Sequence, residues 1–183
     1  QTLMPTPIGH VLGGLAAGVL IAGRAEPSAS SVGIRSQSLL WVWGLCGVLP
    51  DADFLIGGHR GLTHTLGAMC ALGCGTALIA RRQPELWFAA AASYGTHLLL
   101  DWFGGDTAVP LGIMALWPFT DTFYLSPYSL FPAICRQYWS AGCQVDLIQA
   151  VAWEMLLLGP IAAFALRFGP RSGRFGPKRA ELK

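Results

Sequence analysis

Five stretches of the chain, residues 7–23, 38–50, 62–80, 85–100 and 147–168, are apolar and nearly free of charge. No other feature restricts the fold so tightly. A helix needs about 20 apolar residues to cross the hydrocarbon of a bilayer, with roughly 17 as the lower limit. The third and fifth stretches meet that length. The first, second and fourth are short, and the second qualifies mainly through its Leu-Trp-Val-Trp-Gly-Leu core. Composition agrees: 53% of residues are hydrophobic and only 12% charged, whereas soluble domains carry about 25% charged residues. Lipid is the expected solvent.

The sequence therefore predicts an all-α, polytopic membrane helix bundle of about five spans, one domain in 183 residues. A sixth apolar patch, 109–119, contains Pro110 and Pro118 and is too short to span. It is expected to be re-entrant or interfacial, a conformation tolerated only against protein or a wet cavity. Residues 1–168 form the expected membrane-embedded domain. Residues 169–183, rich in Gly, Pro and basic side chains, form an expected disordered cytoplasmic tail near anionic headgroups. The first stretch lacks a basic leader and a small-residue cleavage site, so it is read as a structural helix rather than a cleaved signal.

Gly13, Gly14 and Gly18 in the first stretch, and Gly67, Ala71 and Gly75 in the third, recur at three- or four-residue spacing. Such stripes either let helix backbones approach closely or reflect plain tolerance of glycine in membrane helices. Basic residues give the orientation, because Lys and Arg collect in cytoplasmic loops. Arg24 and Arg35 follow the first stretch, Arg81 and Arg82 the third, and Arg167, Arg171, Arg174, Lys178, Arg179 and Lys183 close the chain. Only Arg60 and Arg136 fall on the other side. Five crossings with the N-terminus outside and the C-terminus cytoplasmic satisfy this pattern. A net charge of +2 does not describe a nucleic-acid footprint.

On that topology the four histidines, His10, His59, His64 and His97, all lie toward the extracytoplasmic face, with Asp51, Asp53, Asp101, Asp106 and Asp121. Imidazole and carboxylate are the ligands of zinc-like or manganese-like ions. His97 and Asp101 are spaced i, i+4 and share a helix face. Pro50-Asp51-Ala52-Asp53 ends a helix and offers two carboxylates. His59 is expected in the Gly57-Gly58 turn and His64 in the first turn of the next helix, with Arg60 placed to neutralise an anionic substrate group. Each piece has a plain alternative: a satisfied interfacial histidine, a helix-capping aspartate, a structural hydrogen bond. Together they point to a metal site, because ionisable groups at membrane depth are costly and mark function.

The strings Gly9-His10, Pro50-Asp51-Ala52-Asp53, Gly58-His59-Arg60-Gly61-Leu62-Thr63-His64-Thr65 and His97-Leu98-Leu99-Leu100-Asp101 occur in this order. They resemble the motifs of the YdjM-like family of bacterial inner-membrane, metal-dependent hydrolases, and Leu116-Trp117-Pro118-Phe119 resembles that family's Trp-Pro element. The resemblance covers roughly residues 7–127. The His-Arg-Gly-x-Thr-His string is specific, Pro-Asp-x-Asp less so, and the outer two motifs are weak alone. Relatives carry a Thr-x-x-Gly-x-Pro turn after the last motif; here the segment reads Gly104-Gly105-Asp106-Thr107-Ala108-Val109-Pro110, with Asp106 as an added polar group.

The resemblance implies hydrolysis with one or two divalent ions, zinc favoured and manganese the alternative. Such ions lower the pKa of bound water and polarise the scissile group. The ligand candidates are His10, Asp51, Asp53, His64, His97 and Asp101. A group left uncoordinated, His59 or Asp53, would act as general base or acid, and Arg60 would stabilise developing negative charge. A site at the outer interface suits an amphiphilic substrate such as a phosphate-ester lipid, with membrane lipid as surroundings. The competing class is a non-catalytic metal-binding component of a transporter or sensor. An intramembrane metalloprotease is disfavoured by the lack of His-Glu-x-x-His.

Glu154 lies inside the last stretch, about two turns from its expected outer end. It should face the bundle, either as a partner to a metal ligand or hydrogen-bonded to a neighbouring helix. Cys46, Cys70 and Cys74 are expected to pack within spans, while Cys135 and Cys143 share an external loop in which a disulfide can form. Trp117, Tyr124, Tyr128, Tyr138 and Trp139 suit an interfacial aromatic belt.

Overall fold

A computed structural model describes residues 2–3, 5–23, 36–56, 60–107, 109–135 and 139–170. Among them the chain is almost wholly helical: α1 Pro7–Ala22, α2 Ser36–Val48 running into a 3-10 helix Leu49–Ile56, α3 Leu66–Ile79, α4 Pro84–Trp102 and α5 Ala141–Phe168. Two short strands, β1 Thr2–Leu3 and β2 Ile134–Cys135, pair antiparallel.

Local chemistry sets the helix ends. Thr6 caps α1 and Thr65 caps α3 by accepting backbone N–H groups, and Pro7 and Pro84 open α1 and α4, where a missing N–H costs nothing. Gly23 closes α1 at φ 82°, a left-handed conformation natural to glycine. Pro50 has no N–H to continue the ladder of α2, and the chain tightens there into the 3-10 turns that carry Asp51 and Asp53.

The helices alternate in direction. His10 meets Asp101 and the Gly14 carbonyl accepts from Ser93 Oγ, so α1 and α4 are antiparallel. Gly14 faces Gly47 and Gly18 faces Trp43, which makes α1 and α2 antiparallel as well. Gly9 lies against Glu154 and Val19 against Gly169, so α1 and α5 run together. α1 is the hub, touching α2, α4 and α5, while α3 packs on α4. Around a thin core of Val19, Trp43 and small alanines, the outer faces present large apolar side chains, among them Leu45, Ile79, Phe88, Ile148, Leu156 and Phe164. This is a surface made for lipid rather than water.

Close packing accounts for the glycine stripe of α1. A Cβ on Gly14 would stand 2.6 Å from the Trp43 carbonyl oxygen and 2.8 Å from Gly47 Cα. The stripe on α3 does not act this way: Gly75 has nothing within 4 Å, and Gly67 meets only a loop carbonyl and its neighbours.

Span lengths differ from the expectation of about five. Among the described residues, Ser38–Leu55 and Ala141–Phe168 are long and apolar enough to cross a membrane, whereas Pro7–Ala22 and Leu66–Ile79 are apolar but shorter. α4 has 19 residues, but Glu85, Ser93, Thr96, His97 and Asp101 dilute its apolarity. The third stretch is shortened because residues 62–65 form turns before Thr65 caps the helix, leaving His64 ahead of α3 rather than in its first turn. The fifth is lengthened to 28 residues by the Ser140 cap. Glu154 therefore lies nearly four turns from the start of α5, by about 3.6 residues per turn, instead of two.

Residues 109–119 form turns without a helix, and Ile113 bridges to Tyr124. Cys135 and Cys143 are disulfide-bonded with Cα atoms 5.2 Å apart. Cys46 is half-buried, but Cys70 and Cys74 face outward from α3 and do not pack in the bundle. Trp117, Tyr124, Tyr128 and Trp139 are exposed. Tyr138, His59 with its Gly57-Gly58 turn, Arg24, Arg35, Arg136 and tail residues 171–183 lie outside the described residues.

Candidate metal centre

Alternating helices bring the N-terminal end of α1, the C-terminal ends of α2 and α4, and the turn before α3 to one end of the bundle. Each contributes to a single cluster. His10 Nε2 lies 3.3 Å from Asp101 Oδ1, while His64 Nε2 and His97 Nε2 lie 3.4 Å and 3.3 Å from Asp101 Oδ2. The two latter nitrogens are 3.1 Å apart. Asp51 Oδ1 stands 3.8 Å from His64 Nε2 and 3.7 Å from His97 Nε2. The His10 ring stacks on that of His97 at 3.7 Å. His10, His64, His97 and Asp101 are each 1% exposed or less, whereas the Asp51 side chain retains 18%. Approach to the cluster from the described residues is therefore on the Asp51 side.

The far nitrogens identify the tautomers. His97 Nδ1 is 2.8 Å from the Gly47 carbonyl oxygen, which can only accept, so the proton sits on Nδ1. His64 Nδ1 lies 3.0 Å from Thr63 Oγ1 and 3.3 Å from Asp53 Oδ2, and the Thr63 hydroxyl itself donates to Asp53 at 2.9 Å. Both histidines therefore turn an Nε2 lone pair toward the other and toward Asp101. Beyond these three imidazoles, no described residue hydrogen-bonds either carboxylate oxygen of Asp101, although both are buried. Facing lone pairs at 3.1–3.4 Å repel unless a cation lies between them.

The donors fit such a cation. Bonds of about 2.0–2.1 Å in a tetrahedron require donor separations of roughly 3.3–3.4 Å, close to those seen between His64, His97 and Asp101. Two groupings, His10-Asp51-His97 and His64-His97-Asp101, each bring their ligand atoms within 4.8 Å of one another and share His97. Nitrogen and carboxylate donors suit zinc or manganese better than soft thiolate-seeking ions.

Asp51 and Asp53, both ligand candidates from the sequence, separate here. The 3-10 backbone turns Asp51 to the Nε2 side of His64 and Asp53 to its Nδ1 side. Asp53 also accepts the Arg60 backbone N–H at 3.0 Å. Arg60 holds φ 67°, a left-handed conformation costing a non-glycine residue about 1–2 kcal/mol. Its Nη1 donates to Asp106 Oδ2 at 2.6 Å and to the Pro110 carbonyl at 3.2 Å, and Asp106 also accepts the Gly112 N–H. Asp106 thus joins the loop after α4 to the turn bearing His64.

Sequence reasoning did not find the Gly47 carbonyl or the roles of Thr63 and Tyr94. A carbonyl leaves no trace in residue type. Tyr94, whose hydroxyl donates to the Thr63 carbonyl, is three residues before His97 on the same helical face, and that spacing could have revealed it. Glu154 faces the bundle as expected, and its hydrogen bonds go to the first turn of α1.

An exchange of Asp53 for Asn tests the outer support. Zinc affinity measured by competition with a chromophoric chelator should fall about 10- to 100-fold while saturating stoichiometry is unchanged. Unaltered affinity would show that Asp53 does not orient His64.

The sequence model of a family described as YdjM inner membrane protein matches residues 4–169. No curated protein and no solved structure matches the chain.

Proposed function

The chain belongs to the YdjM inner membrane protein family, and from that premise we propose that it is a membrane-bound, metal-dependent hydrolase acting on an amphiphilic substrate, a phosphate-ester lipid before an amide. The observation that carries this reading is the convergence of three histidine Nε2 atoms on a buried, otherwise unpartnered carboxylate. His10, His64, His97, Asp101 and Asp51 would hold one or two divalent ions, zinc favoured and manganese the alternative. A bound ion there supplies a Lewis acid and lowers the pKa of coordinated water.

The chain's own residues do the rest. Asp53 and the Gly47 carbonyl hold the His64 and His97 rings by their Nδ1 atoms, so Nε2 stays unprotonated. Asp51, the partly exposed member of the cluster, borders the approach. With Asp53 occupied by Thr63, Arg60 and His64, proton transfer falls to His59, the other sequence candidate. Arg60, beside it, contributes positive charge to the same end while bracing the external loop. An apolar groove of about 350 Å³, lined by Leu66, Leu98, Leu99, Trp102, Leu116 and Tyr124, lies next in sequence to His64 and His97. It supports a substrate with an apolar tail.

All five helices cross the inner membrane on this reading, the shorter ones by local thinning and tilt of their longer neighbours. The N-terminus is outside and the C-terminus cytoplasmic. Arg81 and Arg82 after α3 and Arg167 at the end of α5 stand at the end opposite the histidines, which supports an extracytoplasmic site. The Cys135–Cys143 bond near the cluster end agrees with an oxidising compartment.

The test is turnover by purified, zinc-loaded protein of a panel of long-chain phosphoesters, carboxyl esters and amides presented in micelles. Phosphoester cleavage that chelator abolishes and zinc restores is the expected result. Stoichiometric zinc with no turnover of any class would replace this reading with a non-catalytic metal-binding component of a transporter or sensor.

A further inference from the structure

We propose that Glu154, on a helix that supplies no metal ligand, is a positioning residue for the metal centre: it sets the place of α1 and through it that of His10. This rests on the metal reading of the histidine cluster. Glu154 is fully buried in the middle of α5. Its Oε1 accepts the Thr6 backbone N–H at 2.7 Å, and its Oε2 accepts the Gly9 N–H at 3.0 Å and the Thr6 hydroxyl. These are donors at the start of α1, where a helix leaves N–H groups without internal partners and where negative charge is favoured.

The local cap is weak by comparison, since Thr6 Oγ1 lies 3.4 Å from Gly9 N. A carboxylate 145 residues away in sequence thus takes over much of the capping. The next residue along α1 is His10, whose own N–H begins the helical ladder by donating to the Thr6 carbonyl at 3.2 Å. Among the described residues, His10 is also the one clustered histidine whose far nitrogen, Nδ1, has no hydrogen-bond partner. His64 and His97 are each fixed from behind by an acceptor, whereas among the described residues nothing holds the His10 ring from behind, and its backbone sets where it starts. Glu154 is therefore to His10 what Asp53 and the Gly47 carbonyl are to the other two, acting on the helix end instead of the ring. Gly9 belongs to the same device, because a Cβ there would stand 2.7 Å from Glu154 Oε2.

The experiment is a double-mutant cycle on the full chain, read by Zn²⁺ affinity and by the visible spectrum of the Co²⁺-loaded protein. E154Q puts an amide donor against backbone donors and should weaken Zn²⁺ binding about 10- to 100-fold. Its Co²⁺ spectrum should move toward that of H10A. In the H10A background, E154Q should cause no further loss, since the ligand it places is gone. A purely structural glutamate predicts otherwise: equal losses in both backgrounds, or no change in affinity, would overturn the inference. Should E154Q fail to fold, G9A, which displaces the same carboxylate, is read in the same cycle with the same two outcomes. If the unaltered protein binds no Zn²⁺ or Co²⁺, the metal reading itself falls and this inference with it, a result distinct from additivity.

Discussion

On the proposed metal-centre reading, Asp101→Ala is expected to lower Zn²⁺ affinity by more than the roughly 100-fold upper range for removing an outer-sphere support. Asp101 approaches His10 through one oxygen and both His64 and His97 through the other. Without it, the Nε2 atoms keep one nearby carboxylate among the described residues, Asp51, which stands 3.7 Å from His97, because Asp53 meets His64 at Nδ1. Elemental analysis of the purified variant gives the first readout, with His64→Ala expected to behave alike. Full metal content in both variants would dismiss the site. Thermal unfolding in detergent gives a second readout. A ligand at 1,000 times its Kd stabilises the folded state by about 4 kcal/mol. Chelator should therefore lower the Tm of the unaltered protein and leave that of Asp101→Ala nearly unmoved.

Gly47→Val should be severely damaging although it alters no candidate ligand. A Cβ at Gly47 would overlap the His10 carbonyl oxygen and lie 3.0 Å from Gly14 Cα, so the obstacle is backbone and cannot swing aside. Overpacking of cores costs typically 1–3 kcal/mol, occasionally more, and here α1 and α2 must separate to admit any side chain. Two elements that carry candidate ligands would part, because His10 sits on α1 and Asp51 follows α2. The Gly47 carbonyl that holds His97 would shift with them. The expected outcome is loss of both folded yield and metal content, measured by monodispersity in detergent and elemental analysis. Gly75→Val serves as the control: its Cβ meets nothing within 4 Å, and it should be tolerated.

That pair of glycines shows where sequence reading stops. Spacing marked both stripes equally, yet only the one on α1 meets a partner helix. Which face of a helix is covered depends on its neighbours, and among the described helices α3 packs on α4 alone. The same limit applied to span lengths. Apolar runs located all five helices, but the caps Thr65 and Ser140 moved the ends, shortening α3 and lengthening α5. His64 left the helix as a result, and it is better placed for doing so: the turn lets its ring reach both Asp53 and Asp101.

The sequence by itself determined the helical class, the membrane family through its ordered His and Asp strings, and the metal-ligand candidates that the structure brings together, His10, Asp51, His64, His97 and Asp101. Those features survive because ligand chemistry and apolar length are properties of residue types. Only the tertiary structure decided that Asp51 faces the cluster while Asp53 braces His64 from behind, since that depends on the 3-10 turn after Pro50. Only the tertiary structure tied Glu154 to the first turn of α1, because a partner 145 residues distant is chosen by helix packing and leaves no periodicity to read.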